Sequence, residues 1–224
     1  MSSNKPVLAI IGGTGKEGPG LATRWAHAGY KVIIGSRQAD KAEQTAKELN
    51  AKLGIDSIEG LDNDSAARRA DICVLTVVQA AHSDALMGLV DAIQGKILVD
   101  ATARVDFRDV KPPELPAAAR SAQNILGPGV RVVAAFQNVP AHALKKNLGA
   151  SIETDVLVCS DDVEAAQAVM QLAVDGGMRA FYAGGLDNAV VVEGITGLLI
   201  SINKYYGSKT ASIAITGLAA PSGQ

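Results

Sequence analysis

The stretch VLAIIGGTGKEG, residues 7–18, joins an apolar run of strand length directly to a glycine-rich turn. It contains the spacing Gly-x-Gly-x-x-Gly at Gly13, Gly15 and Gly18. In a dinucleotide-binding loop these glycines permit a tight turn, a close approach of the backbone to pyrophosphate, and packing of the next helix against the strand. The N terminus of that helix offers unpaired N–H groups to phosphate. The sequence therefore predicts a dinucleotide site that contains Gly13, Thr14, Gly15, Lys16 and Glu17.

Strands and helices alternate outward from this turn. Apolar, β-branched runs lie at residues 6–11, 31–34 and 71–78, and apolar residues at helical spacing occupy residues 20–28 and 39–49. Strand–helix–strand alternation produces a parallel sheet with helices on its faces. We predict an α/β fold of the Rossmann type, a doubly wound parallel sheet with a small C-terminal helical part.

The second half of the chain extends this pattern without a linker. We predict a helix after His82, a helix capped by Asp161-Asp162 and stopped by Gly176-Gly177, and strands at residues 96–99, 131–136 and 179–183. We therefore predict that residues 1–184 form a Rossmann domain, which binds NADP according to the residues after the second strand. Residues 185–224 form a C-terminal helical segment of the same compact unit.

The C-terminal segment contains one long apolar element, at residues 186–206. Its valines, isoleucines and leucines occupy too many sides for an ordinary surface helix. The sheet of a 224-residue chain can hardly cover all of them. We therefore predict that this helix packs against its copy in a second subunit, as a homodimer interface.

The residues after the second strand indicate which dinucleotide binds. An NAD site usually carries an acid there, whereas this chain reads Gly35-Ser36-Arg37, with Lys41 one turn further on. A hydroxyl and a guanidinium can bind a ribose 2′-phosphate that a carboxylate would repel. We predict that Ser36, Arg37 and Lys41 select NADP(H).

Three further segments follow apolar strands and turn small or polar. Ligands bind at the carboxyl ends of parallel strands, so each segment is expected to reach the cofactor. The third of them, which contains Gln137, is the predicted floor of the nicotinamide pocket. The predicted cofactor contacts in the three segments are Thr76, Val77, Val78, Ala101, Asn138, Val139, Pro140 and Ala141.

Acid–base groups are scarce. We expect His27 on the surface and His82 at a helix start, so His142 is the one histidine near the predicted pocket and a candidate acid or base. No Ser-His-Asp set, carboxylate pair or His/Cys cluster emerges, so no metal site is predicted. Hydride exchange between two cofactors needs alignment and exclusion of water more than a protein acid.

Composition limits the class of protein. The chain has 21 Lys+Arg against 23 Asp+Glu, which leaves no general basic surface for nucleic acid or an anionic membrane. Residues 189–202 are interrupted by Glu193 and two glycines, and we expect them to fall short of a membrane span. Cys73 and Cys159 lie in apolar runs and are expected to be buried thiols of a cytoplasmic protein.

Four segments together make the sequence similar to a known family. IGGTGKEG at 11–18, VIIGSR at 32–37, ADICVLTV at 70–77 and VLVCSDD at 156–162 resemble the coenzyme F420-dependent NADP oxidoreductases over roughly residues 7–202. The resemblance implies a homodimer with NADP(H) bound through Thr14, Ser36 and Arg37. It also implies F420 or another flavin-like acceptor over the nicotinamide, bordered by residues 139–141 and Thr196.

The resemblance has two departures, both on the acceptor side. Gln137 stands where the F420 enzymes of this family tend to have histidine, and Gly194 stands in place of a serine near Thr196. The leading hypothesis is hydride transfer between NADPH and a deazaflavin or flavin, with Gln137 and Thr196 orienting the acceptor. The alternatives are an NADPH-dependent reductase of a small carbonyl or imine compound, with His142 as proton donor, and a noncatalytic NADP(H) sensor.

Overall fold

A computed structural model describes residues 5–106, 108–145 and 147–218. Its centre is a six-stranded, all-parallel sheet in the order β3-β2-β1-β4-β5-β6. The strands are β1 (Leu8–Ile11), β2 (Val32–Ser36), β3 (Ile58–Asp62), β4 (Ile72–Leu75), β5 (Ile97–Asp100) and β6 (Arg131–Ala134). This arrangement confirms the predicted Rossmann-type fold.

Helices cover both faces of the sheet. They are α1 (Gly18–His27), α2 (Ala39–Leu53), α3 (Asn63–Arg69), α4 (His82–Met87), α5 (Ala118–Leu126), α6 (Val163–Asp175) and α7 (Ala189–Tyr206). Side chains alternate along β1, so Leu8 and Ile10 enter one buried cluster with Trp25 of α1, while Ala9 and Ile11 enter the other. The two clusters are the two faces of a doubly wound sheet.

A second, two-stranded parallel sheet extends the fold beyond β6. It pairs β7 (Asp155–Val158) with β8 (Arg179–Tyr182). One antiparallel bridge joins it to the main sheet, where Ala134 and Cys159 exchange backbone hydrogen bonds of 2.8 and 3.0 Å. The sequence analysis predicted β8 and did not identify β7.

The sequence analysis also missed β3 and α3, and it drew several strands too long. The pattern of β3 is short, half exposed and broken by Gly60, so it lacks the apolar run of a buried strand. Gly60 is required because a Cβ there would lie 2.2 Å from the α2 backbone. The strands predicted at 71–78 and 131–136 end at Leu75 and Ala134, after which the chain leaves the sheet.

Other local predictions hold. The Asp162 side chain caps α6 by accepting a 2.8 Å hydrogen bond from the Ala165 N–H. Cys73 and Cys159 are free, buried thiols, and burial raises the pKa of the Cys73 thiol to about 12. His27 is exposed at the end of α1, and His82 begins α4.

Helix α7 is held to the domain by a buried carboxylate. Glu193 accepts hydrogen bonds from the Ala118 N–H (2.7 Å) and from Nε of Arg104 (2.9 Å). The helical stretch Leu186–Tyr206 is nevertheless long and apolar enough, by length and composition, to cross a membrane, and 33% of the apolar window is buried. The expectation that this region falls short of a span is therefore wrong on length.

Candidate active site

The turn after β1 begins one residue before the position that the motif predicts. The backbone reverses at Gly12, with φ of +70°, rather than at Gly13, the first glycine of the predicted motif. A Cβ at Gly12 would lie 2.6 Å from Cγ1 of Val77, in the segment that follows β4. Gly12 therefore lets the loop approach the carboxyl end of β4.

The three motif glycines have different surroundings. A Cβ at Gly18 would lie 2.5 Å from the Gly13 carbonyl oxygen, and one at Gly13 would lie 2.7 Å from the Ile10 carbonyl oxygen. Because neither glycine has a Cβ atom, α1 can begin directly against the end of β1. Gly15 is exposed, and a Cβ there would meet nothing closer than 3.5 Å. The space above Gly15 is thus open for a ligand to approach the backbone.

The loop leaves backbone donors free at the start of α1. In the described part of the chain, the N–H groups of Thr14, Lys16 and Glu17 donate to no backbone carbonyl. They lie at the positive end of the helix dipole, where an anion is stabilised. The loop that the sequence predicted from glycine spacing therefore has the donors and the open space that a pyrophosphate needs.

Asn63, which the sequence analysis did not identify, supports this loop. Its Oδ1 accepts a 3.2 Å hydrogen bond from the Gly12 N–H, and the same oxygen lies 2.9 Å from the position of a Cβ on Gly35. Asn63 begins α3 directly after β3. The missed strand thus positions a side chain that joins the ends of β1 and β2. In the sequence, the one signal for Asn63 was its place in the run Asp62-Asn63-Asp64, which is typical of a helix start.

The end of β2 presents two cations and a hydroxyl. Ser36 is the last residue of the strand, and its Oγ accepts a 3.2 Å hydrogen bond from the Gln38 N–H. Arg37 and Lys41 are exposed, and neither forms an ion pair within residues 5–106, 108–145 and 147–218. Ser36 and Arg37 therefore lie at the end of β2 and Lys41 in the first turn of α2, and the two cations carry the positive charge that a ribose 2′-phosphate requires.

The segment after β4 lies beside the glycine loop. Thr76 donates from both its backbone N–H (3.0 Å) and its Oγ1 (3.1 Å) to the carbonyl oxygen of Ile11. Val77 is half-buried against Gly12, whereas Val78 is 72% exposed. Thr76 and Val77 therefore form the wall next to the loop, and Val78 points to solvent.

A buried polar pair occupies the end of β5. Nε2 of His82 lies 2.6 Å from Oδ2 of Asp100, and Oδ1 of Asp100 accepts a 2.9 Å hydrogen bond from the Thr102 N–H. Asp100 is fully buried, and Ala101 beside it is 6% exposed. The sequence analysis assigned His82 only to a helix start, because the 18 residues that separate it from Asp100 give no local signal.

The turn after β6 is built on a strained residue. Phe136 has φ of +73°, a conformation that is rare and costly for a bulky side chain. Its buried ring packs edge-on against Trp25, with ring centroids 5.7 Å apart. This packing holds the turn so that Gln137, Asn138 and Val139 follow at the carboxyl edge of the sheet.

The two residues predicted to orient an acceptor are in contact. Oγ1 of Thr196 on α7 donates a 2.9 Å hydrogen bond to the Gln137 carbonyl oxygen. The Gln137 side chain donates from Nε2 to the Asp100 carbonyl oxygen at 3.1 Å. At Gly194, where the family tends to have serine, an added Cβ would lie 3.5 Å from Cδ of Pro113, so a small side chain would fit.

Three buried oxygens near this edge have no hydrogen-bond partner among the described residues: Thr102 Oγ1, Gln137 Oε1 and Asn138 Oδ1. The Asn138 Nδ2 donates to the Asp155 carbonyl oxygen at 2.7 Å, so its amide is fixed with Oδ1 unused. A nicotinamide carboxamide carries two N–H donors that such acceptors can bind. The ends of β5 and β6 thus fit the nicotinamide half of the dinucleotide, and the end of β2 fits the adenosine half.

His142 lies apart from these oxygens. It is half-buried and lines a cavity of about 390 Å³, together with Pro140, Arg24 and Thr154. Val139 is buried, and Pro140 and Ala141 are half-buried at the start of the same segment. The structure does not join His142 to the Gln137–Thr196 contact. No group of three or more His, Cys, Asp or Glu side chains that could hold a metal ion occurs in the described ranges.

Comparisons with known proteins identify the family of the chain. The family described as "NADP oxidoreductase coenzyme F420-dependent" matches residues 7–104. The F420-dependent NADP reductase of Methanothermobacter thermautotrophicus is 41% identical over 222 residues, which cover 94% of this chain and 95% of that protein. The enzyme of the same name from Methanocaldococcus jannaschii is 40% identical and covers 94% of this chain and 98% of its own length.

A solved structure extends the comparison to the fold. The crystal structure of a putative F420-dependent NADP-reductase from Arthrobacter sp. FB24 superimposes with a TM-score of 0.77 at 22% identity, and covers 93% of this chain and 98% of its own. At that identity the likeness concerns the fold alone. Because these two reductases share about 40% identity with this chain over nearly their full lengths, the chain belongs to the coenzyme F420-dependent NADP oxidoreductase family.

Proposed function

We propose that this protein is an F420-dependent NADP reductase, which transfers hydride between NADPH and the deazaflavin ring of F420. The observation that carries the proposal is the identity of about 40% with F420-dependent NADP reductases over 94% of the chain. The open glycine loop, the cationic end of β2 and the unpartnered oxygens after β5 and β6 support it.

The chain's own residues bind and align the dinucleotide. The free N–H groups of Thr14, Lys16 and Glu17 at the start of α1 bind its pyrophosphate. Ser36, Arg37 and Lys41 bind the 2′-phosphate with charge-assisted hydrogen bonds. Thr76, Val77 and Ala101 form the wall between the two halves.

The acceptor side is formed by the turn after β6 and by α7. Gln137 Oε1 and Asn138 Oδ1 hold the carboxamide edge of the nicotinamide, and Val139, Pro140 and Ala141 exclude water. With both cofactors bound, NADPH would supply the hydride and solvent a proton, and F420 would accept both and be reduced. Thr196 positions Gln137 through its hydrogen bond to the Gln137 carbonyl oxygen, so the protein contributes alignment rather than covalent chemistry.

The match to F420 enzymes favours a deazaflavin acceptor over the alternatives. A carbonyl or imine reductase would need His142 near the reacting atoms, and His142 instead lines the neighbouring cavity. A noncatalytic sensor would not require the aligned pair Gln137 and Thr196.

We also propose a cytoplasmic homodimer formed through α7. Val191, Leu198, Ile202 and Tyr205 lie at helical spacing along one stripe of α7, and each is between 44% and 83% exposed. An exposed apolar stripe of this length marks an interface. Residues 185–224 would then complete the same compact unit as residues 1–184 and carry the dimer contact.

Nucleotide titration, followed by mixing with candidate hydride acceptors, tests the proposed function. Purified protein is titrated with NADPH and with NADH, and the NADPH complex is then mixed with F420, with FMN, and with a panel of small carbonyl and imine compounds. We expect tighter binding of NADPH than of NADH, and loss of the nicotinamide absorbance band with F420 and not with the carbonyl compounds. NADPH binding without F420 turnover would overturn the acceptor assignment, and absence of NADPH binding would overturn the proposal as a whole.

A further inference from the structure

An acid occupies an unexpected place in the nucleotide loop. Glu17 stands between Lys16 and Gly18 and is the N-cap residue of α1. Its carbonyl oxygen accepts the Gly20 N–H at 2.9 Å, while its side chain makes no cap hydrogen bond. A carboxylate at this position would repel the pyrophosphate that the loop is proposed to bind.

The helix face that begins at Glu17 packs against residues that follow β6. Residues three and four positions apart share a helix face, so Glu17 is aligned with Gly20 and Leu21. A Cβ on Gly20 would lie 2.6 Å from Cβ of Leu144, and Leu21 is buried in the same cluster as Phe136. The start of α1 is therefore packed closely against the segment that follows β6.

Glu17 is half-buried as a residue, and one oxygen of its carboxyl is enclosed by protein. Its Oε1 has no hydrogen-bond partner among the described residues, and Glu17 belongs to no ion pair there. An ionised carboxylate in such a site would be strongly destabilised. Burial alone raises the pKa of Glu17 to about 8.

No charged side chain among the described residues forms an ion pair with the Glu17 carboxyl. On its own segment Lys16 is exposed to solvent, and the Arg24 guanidinium donates to the Leu144, Ala150 and Gly176 carbonyl oxygens.

Across from Glu17, the segment after β6 carries the half-buried His142 and the exposed Lys145. At the start of α2, Lys41 is exposed, and at the far end of α6, Asp175 pairs with Lys5. Strands β1 and β2 place no charged side chain against α1.

We infer that Glu17 enters the NADP(H) complex as a neutral carboxylic acid and contributes an O–H donor, not a carboxylate, to the nucleotide site. This inference rests on the proposed NADP(H) binding. A protonated carboxyl can donate to a phosphate or carboxamide oxygen, whereas its ionised form can only accept. The negative charge of the bound nucleotide favours the protonated form further.

A proton linkage follows. Below the pKa of about 8 the free protein already holds the Glu17 proton, so binding does not depend on its titration. Above that pKa the free carboxyl is ionised, and NADPH binding must take up one proton. Affinity for NADPH should then fall by roughly tenfold for each pH unit well above 8.

The experiment is calorimetric titration of the full chain with NADPH at pH 7.5, 8.5 and 9.5, in two buffers that differ in ionisation heat. This range avoids the 2′-phosphate, whose second pKa is about 6 by analogy with other phosphate monoesters. Between pH 7.5 and 9.5 the affinity should fall by roughly twentyfold, with uptake of nearly one proton at pH 9.5.

The Glu17→Gln variant cannot ionise at this position, so it should bind NADPH with no proton uptake and with an affinity that does not vary from pH 7.5 to pH 9.5. The matched control is Glu43→Gln, at an exposed position of α2, which should behave as the unaltered protein does. Wild-type protein that binds NADPH without proton uptake at pH 9.5 would overturn the inference while leaving the proposed function intact. Equal uptake by Glu17→Gln would do the same.

Infrared difference spectroscopy of the unaltered protein is a second readout that does not depend on the variant. The carbonyl band of a protonated carboxyl should be lost from the free protein above pH 9 and retained in the NADPH complex. Loss of that band from both would contradict the inference. Absence of NADPH binding at every pH would instead reject the proposed function.

Discussion

Nε2 of His82 lies 2.6 Å from Oδ2 of Asp100, and both side chains are buried at the carboxyl end of β5. This contact ties the start of α4 to the strand end. The Asp100 carbonyl oxygen also accepts a hydrogen bond from the Gln137 side chain. The Gln137 carbonyl oxygen in turn accepts a hydrogen bond from the Thr196 hydroxyl on α7. The polar pair is thus the base of a hydrogen-bond network that connects three strand-end segments with the C-terminal helix.

Removing the Asp100 carboxyl should therefore destabilise the protein. Asp100→Ala leaves His82 and the Thr102 N–H buried without their partner, and we expect a loss of about 3 kcal/mol in the free energy of unfolding. Urea denaturation measures this loss. Asp84→Ala, on the adjacent helix α4, is the exposed control, and an equal effect of both changes would show that the buried pair contributes nothing particular.

Arg37 should discriminate between the two nicotinamide dinucleotides. Arg37→Ala is expected to weaken NADPH binding by about 1.5–3 kcal/mol, since a charge-assisted hydrogen bond to the 2′-phosphate is lost, and to weaken NADH binding much less. Fluorescence titration with each nucleotide gives both values. Lys47→Ala, exposed further along α2, should change neither. Equal losses for NADPH and NADH would rule out a 2′-phosphate contact.

Substitutions at two of the motif glycines should have different effects, one on stability and the other on NADPH binding. Gly18→Ala places a methyl group 2.5 Å from the Gly13 carbonyl oxygen, and we expect a loss of about 2 kcal/mol of stability because both partners are backbone. Gly15→Ala meets only ordinary contacts at 3.5 Å, so its stability should change by about 0.5 kcal/mol or less. Its NADPH affinity should nevertheless fall. Thermal unfolding and NADPH titration of both variants test this, and normal NADPH binding by Gly15→Ala would contradict the loop assignment.

Burial of Glu17 should make stability depend on pH. Its pKa is about 8 when folded against an ordinary value of 4.5, so between these values the folded state holds a proton that the unfolded state has lost. Stability from this group is complete below pH 4.5 and falls as pH rises to 8, by up to about 4 kcal/mol. Glu17→Leu should remove that decline, so its advantage over the unaltered protein should grow from pH 5 to pH 8 in urea denaturation. An equal difference at both pH values would contradict the prediction.

The exposed stripe on α7 should control association. Leu198 is 64% exposed, and Leu198→Glu would introduce a charge at the centre of the proposed dimer contact. We expect a dimer of the unaltered protein in sedimentation at micromolar concentration and a monomer of the variant. Lys204→Glu, in the last turn of the same helix, provides a charge-changing comparison. A monomer of the unaltered protein would reject the homodimer.

Neighbouring residues were enough to predict much of this protein. The glycine spacing after β1, the absence of an acid at Ser36-Arg37 and the Asp162 cap all follow from contacts within a few residues, where spacing alone sets the geometry. The alternation of apolar strands and amphipathic helices likewise predicted a parallel, doubly wound sheet. Such features depend on local backbone preference and on burial of one helix or strand face.

Long-range packing accounts for what the sequence analysis missed. Edge strand β3 is too short and too polar to stand out, and it forms because α2 and β2 cover it. Nothing local joins His82 to Asp100 or Asn63 to Gly12, because each pair meets only when the strand ends are brought together. Gln137 and Thr196 were assigned a shared role through the family resemblance, and the hydrogen bond between them depends on the packing of α7 against the turn after β6. The protonation state of Glu17 also depends on tertiary packing. Its identity is read from the sequence, but its pKa depends on how much water the folded protein removes from its carboxyl.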